Sequence, residues 1–138
     1  MKKLLSILAL AFGINSFAQT ATNFISTDCS GNLHNLFTEL DTGRVVVLTW
    51  VMPCGGCIGP ATTSYAVANS YGQQYPGRVV FYLCDDYGNL SCSGLGQWAV
   101  TNGMHCLCFS DSNIRMSDYG ADAMPKTIIL GGYNHHVY

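Results

Sequence analysis

The sequence is poor in charged residues. It has 6 lysines and arginines and 8 aspartates and glutamates in 138 residues, so that charged residues make up 10% of the chain. With so few basic residues and a formal net charge of −2, the chain lacks the basic surface that nucleic-acid binding requires. The length suits one compact domain and is short for two. We therefore expect a single domain with no nucleic-acid partner.

The N-terminal apolar run is too short for a membrane-spanning helix, which needs ~20 residues. It extends from Leu4 to Phe12, follows two lysines and precedes polar and small residues that end at Ala18. This order is typical of a secretory signal peptide that is cleaved after Ala18. The sequence predicts a signal peptide over 1–18 and a periplasmic or secreted domain over 19–138, with no stable membrane insertion after cleavage.

Cysteine, in contrast, is abundant, with 7 residues in the chain. Cys54 and Cys57 directly follow the β-branched run 44–51, which predicts a buried central strand. The residues from Cys54 to Gly72 predict a helix. A thiol at a helix start is stabilised as the anion by free backbone N–H groups, and a second thiol one turn later can displace its partner. The spacing predicts thiol–disulfide exchange, with Cys54 as nucleophile and Cys57 as resolving thiol.

The other elements predict an α/β domain. Further strands are expected over 78–84, 105–109 and 126–130, a helix over 91–102, a short helix from Asp111 to about Tyr119, and extended segments around the turn 29–32 and over 133–138. Strands that alternate with helices before a closing hairpin predict a central mixed sheet flanked by helices, with an N-terminal β-hairpin.

Three segments carry a family resemblance. The stretch VVVLTWVMPCGGC resembles the strand-and-motif segment of the thioredoxin superfamily, especially its exported TlpA-like and redoxin-like branch. The segment 123–127 is similar to the cis-proline segment of that superfamily, and FISTDCSGNLHNL resembles its N-terminal hairpin. The resemblance implies a thioredoxin-like fold with a cis peptide at Pro125 that faces the Cys54 sulfur.

The same resemblance implies a function. It indicates an extracytoplasmic thiol–disulfide oxidoreductase with no cofactor beyond the Cys54–Cys57 disulfide. Its substrate-binding residues would be Met124, Pro125, Trp50 and Pro53, although tryptophans such as Trp50 and Trp98 are more often core residues. The expected partners are exported proteins that carry disulfides or thiols, and a membrane-linked redox partner.

Two features depart from the family. Its members often keep a buried carboxylate near the resolving cysteine, but no aspartate or glutamate occurs between Asp41 and Asp85. Water, Asp85, Asp86 or Asp118 would then have to accept the Cys57 proton. The sequence also ends at Tyr138, where the family continues into a closing helix. We expect a fragment of a longer secreted protein, rather than a partner that covers the open face of the sheet.

The remaining cysteines allow several interpretations. Cys84 and Cys92 flank a loop at a strand end and can close a structural disulfide, although two buried thiols or a second redox relay are alternatives. Cys106 and Cys108 project from the same face of a strand, ~7 Å apart, and favour core packing. Cys29, in a turn, is the candidate for the odd thiol.

The two C-terminal histidines suggest no metal site. His135 and His136 are neighbours in a predicted strand, so they point to opposite faces and are interpreted as surface residues.

Two other functions are also compatible with the sequence. Residues 52–57 also resemble the Met-x-Cys-x-x-Cys loop of heavy-metal-associated copper carriers, and soft thiolates suit cuprous ion. Those carriers are domains of only ~70 residues, so the resemblance to them does not account for the Pro125 segment in the second half of this chain. Alternatively, the chain is a non-catalytic secreted module in which the Cys54–Cys57 bridge only stiffens a loop.

Overall fold

The computed structural model describes residues 19–138, so the predicted signal peptide over 1–18 lies outside the described residues. The strands are β1 (Ile25–Thr27), β2 (Leu33–Asn35), β3 (Val45–Val51), β4 (Val79–Asp85), β5 (Leu107–Phe109), β6 (Lys126–Gly131) and β7 (His136–Val137). The helices are α1 (Leu36–Asp41), α2 (Gly55–Gln74), α3 (Cys92–Thr101) and a 3-10 helix (Met116–Tyr119). None of the helices within 19–138 has both the length and the apolar character that a membrane crossing requires.

Strands β3 to β7 form one mixed sheet in the order β5-β4-β3-β6-β7. Strand β4 runs parallel to both β3 and β5, whereas β6 pairs antiparallel with β3, and β7 antiparallel with β6. Strands β1 and β2 form a separate antiparallel hairpin. The predicted α/β architecture, with a central mixed sheet and an N-terminal hairpin, is confirmed.

The sheet separates two apolar clusters, because alternate residues of each strand face opposite sides. The hairpin-side core lies under the hairpin and α1 and includes Leu48, Trp50 and Tyr82. The helix-side core lies under α2 and α3 and includes Val51 and Cys57. Strand β3 is therefore buried on both faces, as its unbroken apolar run predicts.

The helices differ in how well the sequence predicts them. Helix α2 buries Cys57, Ala61 and Ala68, whose spacing places them on one face. Helix α1 was not predicted, because its six residues carry too short a pattern; it is capped by Asn35, whose side chain accepts a hydrogen bond from the Thr38 N–H at 3.3 Å. The expectation of a helix capped by Asp111 is wrong, because the segment first forms a turn and only then the 3-10 helix.

Beyond β6, residues 19–138 contain no further helix. Part of the α2 side of the sheet is therefore open, in a groove lined by apolar and hydroxyl side chains, among them Val45, Val67, Thr127 and Ile129.

A buried carboxylate organises the turn of the hairpin. The Asp28 side chain is 1% exposed, and it accepts hydrogen bonds from the backbone N–H groups of Ser30 (2.8 Å) and Asn32 (2.9 Å). The imidazole Nε2 of His34 lies 3.0 Å from its other oxygen. Burial alone would raise the pKa of Asp28, but the donors from Asn32, His34 and Ser30 outweigh it and lower the pKa to about 2.

We predict that Asp28→Asn lowers the free energy of unfolding at neutral pH by about 2 kcal/mol. A carboxyl whose folded pKa is depressed stabilises the fold above its unfolded pKa and loses that contribution as the pH falls. The difference between the variant and the wild type should therefore shrink as the pH falls from 3.8 towards about 2. Urea unfolding followed by tryptophan fluorescence measures this, with the exposed Asp122→Asn as control. Equal losses for both variants would contradict the role of Asp28.

Candidate active site

The two motif cysteines occupy the junction between β3 and α2. Strand β3 ends at Val51, and Cys54 is the N-cap residue of α2 with extended backbone angles (φ −137°, ψ 169°). The Cys54 side chain is half-buried, whereas Cys57, in the first turn, is only 2% exposed. Their sulfur atoms lie 3.9 Å apart. The pair thus consists of one thiol at the surface and one directly behind it.

The environments of the two thiols push their acidities in opposite directions. The backbone N–H groups of Cys57 and Gly56, followed by the Cys57 thiol, hold the pKa of Cys54 below its ordinary value. Burial raises the pKa of Cys57, and the negative charges of Cys54 and Asp86 raise it further. Cys54 is therefore the more acidic thiol of the pair, and Cys57 the less acidic one.

Of the candidate carboxylates, Asp86 is the one that acts on Cys57. The Asp85 side chain is buried and its Oδ2 accepts hydrogen bonds from the N–H groups of Asn89 (2.7 Å) and Leu90 (3.0 Å), so it organises the loop after β4. Asp86 follows it, with its N–H donating to the Val51 carbonyl at 3.1 Å. Burial and the neighbouring Asp85 raise the pKa of Asp86.

Asp118 lies elsewhere in the fold. Its carboxylate is 3.3 Å from the Arg115 guanidinium, at the 3-10 helix on the hairpin side. The structure thus reduces the three candidate carboxylates to one.

The Met124–Pro125 peptide is cis, as the motif indicates. In the antiparallel register of β3 and β6, Trp50 is paired with Lys126, so Pro125 precedes the pair at the end of the sheet where β3 leads into Cys54. Met124 and Cys54 are both partly buried and pack against the helix-side core. The two sequence motifs, 70 residues apart, therefore meet at one end of the sheet.

The proposed substrate contact of Trp50 is wrong. Its side chain is fully buried in the hairpin-side core, and the indole N–H donates to the Ile114 carbonyl at 2.8 Å. Since β3 side chains alternate, Trp50 faces away from α2. It positions the 110–119 segment, whereas Pro53, Met124 and Pro125 are partly exposed.

The predicted Cys84–Cys92 bridge is also wrong. Cys92 forms a disulfide with Cys29, with the Cα atoms 5.2 Å apart, and Cys84 is a free buried thiol. Cys84 faces the hairpin-side core, and Cys92 begins α3 on the other side of the sheet, which keeps the two apart. Cys29 is thus not the odd thiol. The disulfide closes a loop of 63 residues, which corresponds to a stabilisation of about 4 kcal/mol from chain entropy.

The structure also shows where the remaining cysteines and the two C-terminal histidines lie. Cys106 and Cys108 belong to the helix-side core, on the same side of the sheet. His135 is not part of a strand: its φ is +53°, and its Nε2 lies 2.7 Å from Asp41 Oδ1. His136 is half-buried in β7. Within 19–138, no three or more histidines, cysteines or carboxylates are grouped to hold a metal ion.

We predict that iodoacetamide alkylates Cys54 of the reduced protein with an apparent pKa below the ~8.5 of an ordinary thiol, because backbone N–H groups stabilise its anion. The rate should rise with pH to a plateau below that value. Trypsin, which cleaves after Arg44 and Arg78, releases both motif cysteines in one peptide free of other cysteines. Mass spectrometry of that peptide measures the labelling of each, with Cys57 as internal control. Labelling of Cys57 first would contradict the assignment.

No family model and no curated protein matches the chain. Solved structures do. A secreted Mycobacterium tuberculosis disulfide oxidoreductase homologous to E. coli DsbE aligns with a TM-score of 0.64 and 15% identity over 83% of this chain and 80% of that one. The thioredoxin domain of a thiol-disulfide oxidoreductase from Bacteroides vulgatus gives a TM-score of 0.67 and 10% identity over 88% and 85%.

A thiol-disulfide oxidoreductase from Bacteroides fragilis gives a TM-score of 0.66 and 12% identity over 86% of this chain and 87% of that one. At such identities the likeness concerns the fold. The chain therefore has the thioredoxin-like fold, in the form found in thiol-disulfide oxidoreductases of the DsbE and thioredoxin type.

Proposed function

We propose that this protein is an extracytoplasmic thiol–disulfide oxidoreductase that exchanges disulfides with exported proteins through Cys54 and Cys57. The observation that carries the proposal is the asymmetry of the pair. An accessible thiol of lowered pKa stands 3.9 Å in front of a buried thiol of raised pKa. This division suits a nucleophile and a resolving thiol, respectively.

In the reducing direction, the Cys54 thiolate attacks one sulfur of a substrate disulfide, which breaks the S–S bond and expels the other substrate sulfur as a thiolate. The protein and substrate are then joined by a mixed disulfide. Cys57 loses its proton and attacks the Cys54 sulfur, which releases the second substrate thiolate and forms the Cys54–Cys57 disulfide. The oxidised protein performs the same steps in reverse, with a dithiol substrate.

The Cys57 proton needs an acceptor during the second step. Asp86 is suited to accept this proton for two reasons. Its charge acts on Cys57, and burial raises the pKa of its carboxyl group, which makes the carboxylate a stronger base. The mixed disulfide removes the negative charge of Cys54, which lowers the pKa of Cys57 at the step in which it must ionise. Formation of the mixed disulfide therefore promotes the attack by Cys57 that resolves it.

The cis-proline segment provides a surface for the substrate beside Cys54. Pro125 has no N–H and leaves the sulfur free to react, while Met124 can pair its backbone with an extended substrate segment. Pro53 directly precedes Cys54 in sequence and is half-buried. This surface recognises backbone rather than a particular side chain, which fits a range of exported proteins that carry disulfides or thiols.

Export of the chain is part of the proposal. It is supported by the order of residues 1–18, by the Cys29–Cys92 disulfide, which suits an oxidising compartment, and by the secreted relative from Mycobacterium tuberculosis. A membrane-linked redox partner would then restore the Cys54–Cys57 pair. Recovery from periplasm or medium of a chain that begins at Gln19 supports export, and retention of residues 1–18 in the cytoplasm opposes it.

We predict that Cys57→Ser accumulates a mixed disulfide between Cys54 and a disulfide substrate such as insulin, because the resolving thiol is gone. Non-reducing electrophoresis and mass spectrometry detect the adduct, and dithiothreitol removes it. The wild type should reduce insulin without accumulating the adduct.

Cys54→Ser and the double variant provide the controls, and neither should form the adduct. Equal adduct in the double variant and in Cys57→Ser would contradict the proposal. A parallel titration with copper(I) tests the copper-carrier alternative. Stoichiometric copper binding that needs both cysteines, without insulin reduction, would favour that function instead. The burial and raised pKa of Cys57 argue against it, because copper(I) requires thiolate ligands.

A further inference from the structure

A second group of sulfur atoms lies away from the Cys54–Cys57 pair. The Cys29–Cys92 disulfide and the thiols of Cys106 and Cys108 line one cavity of about 420 Å³ beside α3. Cys92 is exposed and Cys29 half-buried, whereas Cys108 is 7% exposed. The cavity therefore has an exposed disulfide at its mouth and a buried thiol behind it.

Cys29 lies next to a second cysteine besides its disulfide partner Cys92. The Cys29 N–H donates to the Cys108 carbonyl at 2.8 Å, which, by the bond lengths and the trigonal angle at the carbonyl carbon, keeps their Cα atoms within about 6.7 Å of each other. Disulfides join Cα atoms up to about 6.8 Å apart. Both side chains line the same cavity and belong to or pack against the helix-side core. The Cα separation and the shared cavity are thus compatible with a Cys29–Cys108 disulfide in place of the present Cys29–Cys92 bond.

The other end of the disulfide is a suitable leaving group. Cys92 is the first residue of the ten-residue helix α3, directly after the N-cap Ser91, and the positive end of the helix dipole favours a thiolate at that position. Of the two thiols behind the disulfide, Cys108 is the more acidic, because the Cys106 thiol lowers its pKa against the opposing effects of burial and the Asp28 charge. Cys108 is therefore the better candidate for the attacking sulfur.

We propose that this cavity is a second thiol–disulfide exchange site, in which Cys29 alternates between a disulfide to Cys92 and a disulfide to Cys108. In the second state, the free Cys92 thiolate at the head of α3 is an exposed nucleophile for disulfides of other proteins. The site is separate from Cys54 and Cys57 and does not depend on their activity.

The exchange balances without an external oxidant or reductant. The Cys108 thiolate attacks the Cys29 sulfur, the Cys29–Cys92 bond breaks, and Cys92 leaves as the thiolate. The proton that Cys108 loses goes to solvent and can return to Cys92. The new disulfide closes a loop from residue 29 to residue 108, only slightly longer than the present 63 residues, so the chain entropy of the cross-link is nearly unchanged.

The experiment uses the oxidised full chain with Cys54→Ser and Cys57→Ser, incubated natively with iodoacetamide at mildly alkaline pH. Alkylation captures Cys92 whenever it is released. After an acid quench, chymotryptic peptides are analysed without reduction; cleavage at Trp98 and Leu107 separates Cys92, Cys106 and Cys108. We expect alkylated Cys92 together with a Cys29–Cys108 linkage, and a loss of Cys92 labelling of at least about tenfold in Cys108→Ser.

Two controls separate exchange from unfolding. Cys84, buried on the other side of the sheet, reports global opening, so Cys92 labelling must precede Cys84 labelling. Cys108→Ala repeats the test if the serine variant does not fold. An intact Cys29–Cys92 disulfide with unlabelled Cys92 would overturn the proposal. Equal Cys92 labelling with and without Cys108 would also overturn it.

Discussion

The interaction on which the site depends is the electrostatic effect of the backbone N–H groups of Cys57 and Gly56, at the start of α2, on the Cys54 sulfur. It exists because β3 ends abruptly at Val51 and the chain re-enters the core with Cys57 after a single turn. Neither glycine between the cysteines is sterically required. A Cβ at Gly56 would meet the Cys54 sulfur at an ordinary 3.9 Å, and one at Gly55 would meet nothing within 4 Å. The two glycines add no side chain of their own beside the sulfur.

The burial of β3 on both faces fixes the rest of the site. Because alternate residues enter the two cores, Trp50 is held on the hairpin side by its hydrogen bond to Ile114, and Val51 anchors the start of the active-site turn on the helix side. The antiparallel pairing of β3 with β6 then carries the cis-proline segment to the same end of the sheet. Strand register thus brings the cis-proline segment and Cys54 to the same end of the sheet.

The features that the sequence predicts well are those with a local signal. The strand, the cysteine spacing and the helix after it lie within one continuous segment, and the proline motif directly precedes its own strand. The Cys29–Cys92 disulfide was not predicted because it depends on how the hairpin turn docks against β5, a contact without a local pattern. The short separation in sequence between Cys84 and Cys92 favoured a bridge between these two cysteines. Strand alternation, however, places the Cys84 thiol in the hairpin-side core, on the opposite side of the sheet from Cys92. The role of Trp50 was missed for a related reason, since its hydrogen-bond partner is 64 residues away.

Because the chain has few charged residues, the pKa values of its motif thiols depend mainly on backbone N–H groups and burial. With no carboxylate between Asp41 and Asp85, side-chain charges cannot dominate the acidity of Cys54. Backbone N–H groups at a helix start lower the pKa of Cys54, and burial against the helix-side core raises that of Cys57, with Asp86 a smaller contributor. Cys92 also begins a helix that packs on this side of the sheet. Control by backbone and burial is screened little by salt, since it does not depend on exposed ion pairs. The difference in acidity between Cys54 and Cys57 should therefore change little with ionic strength.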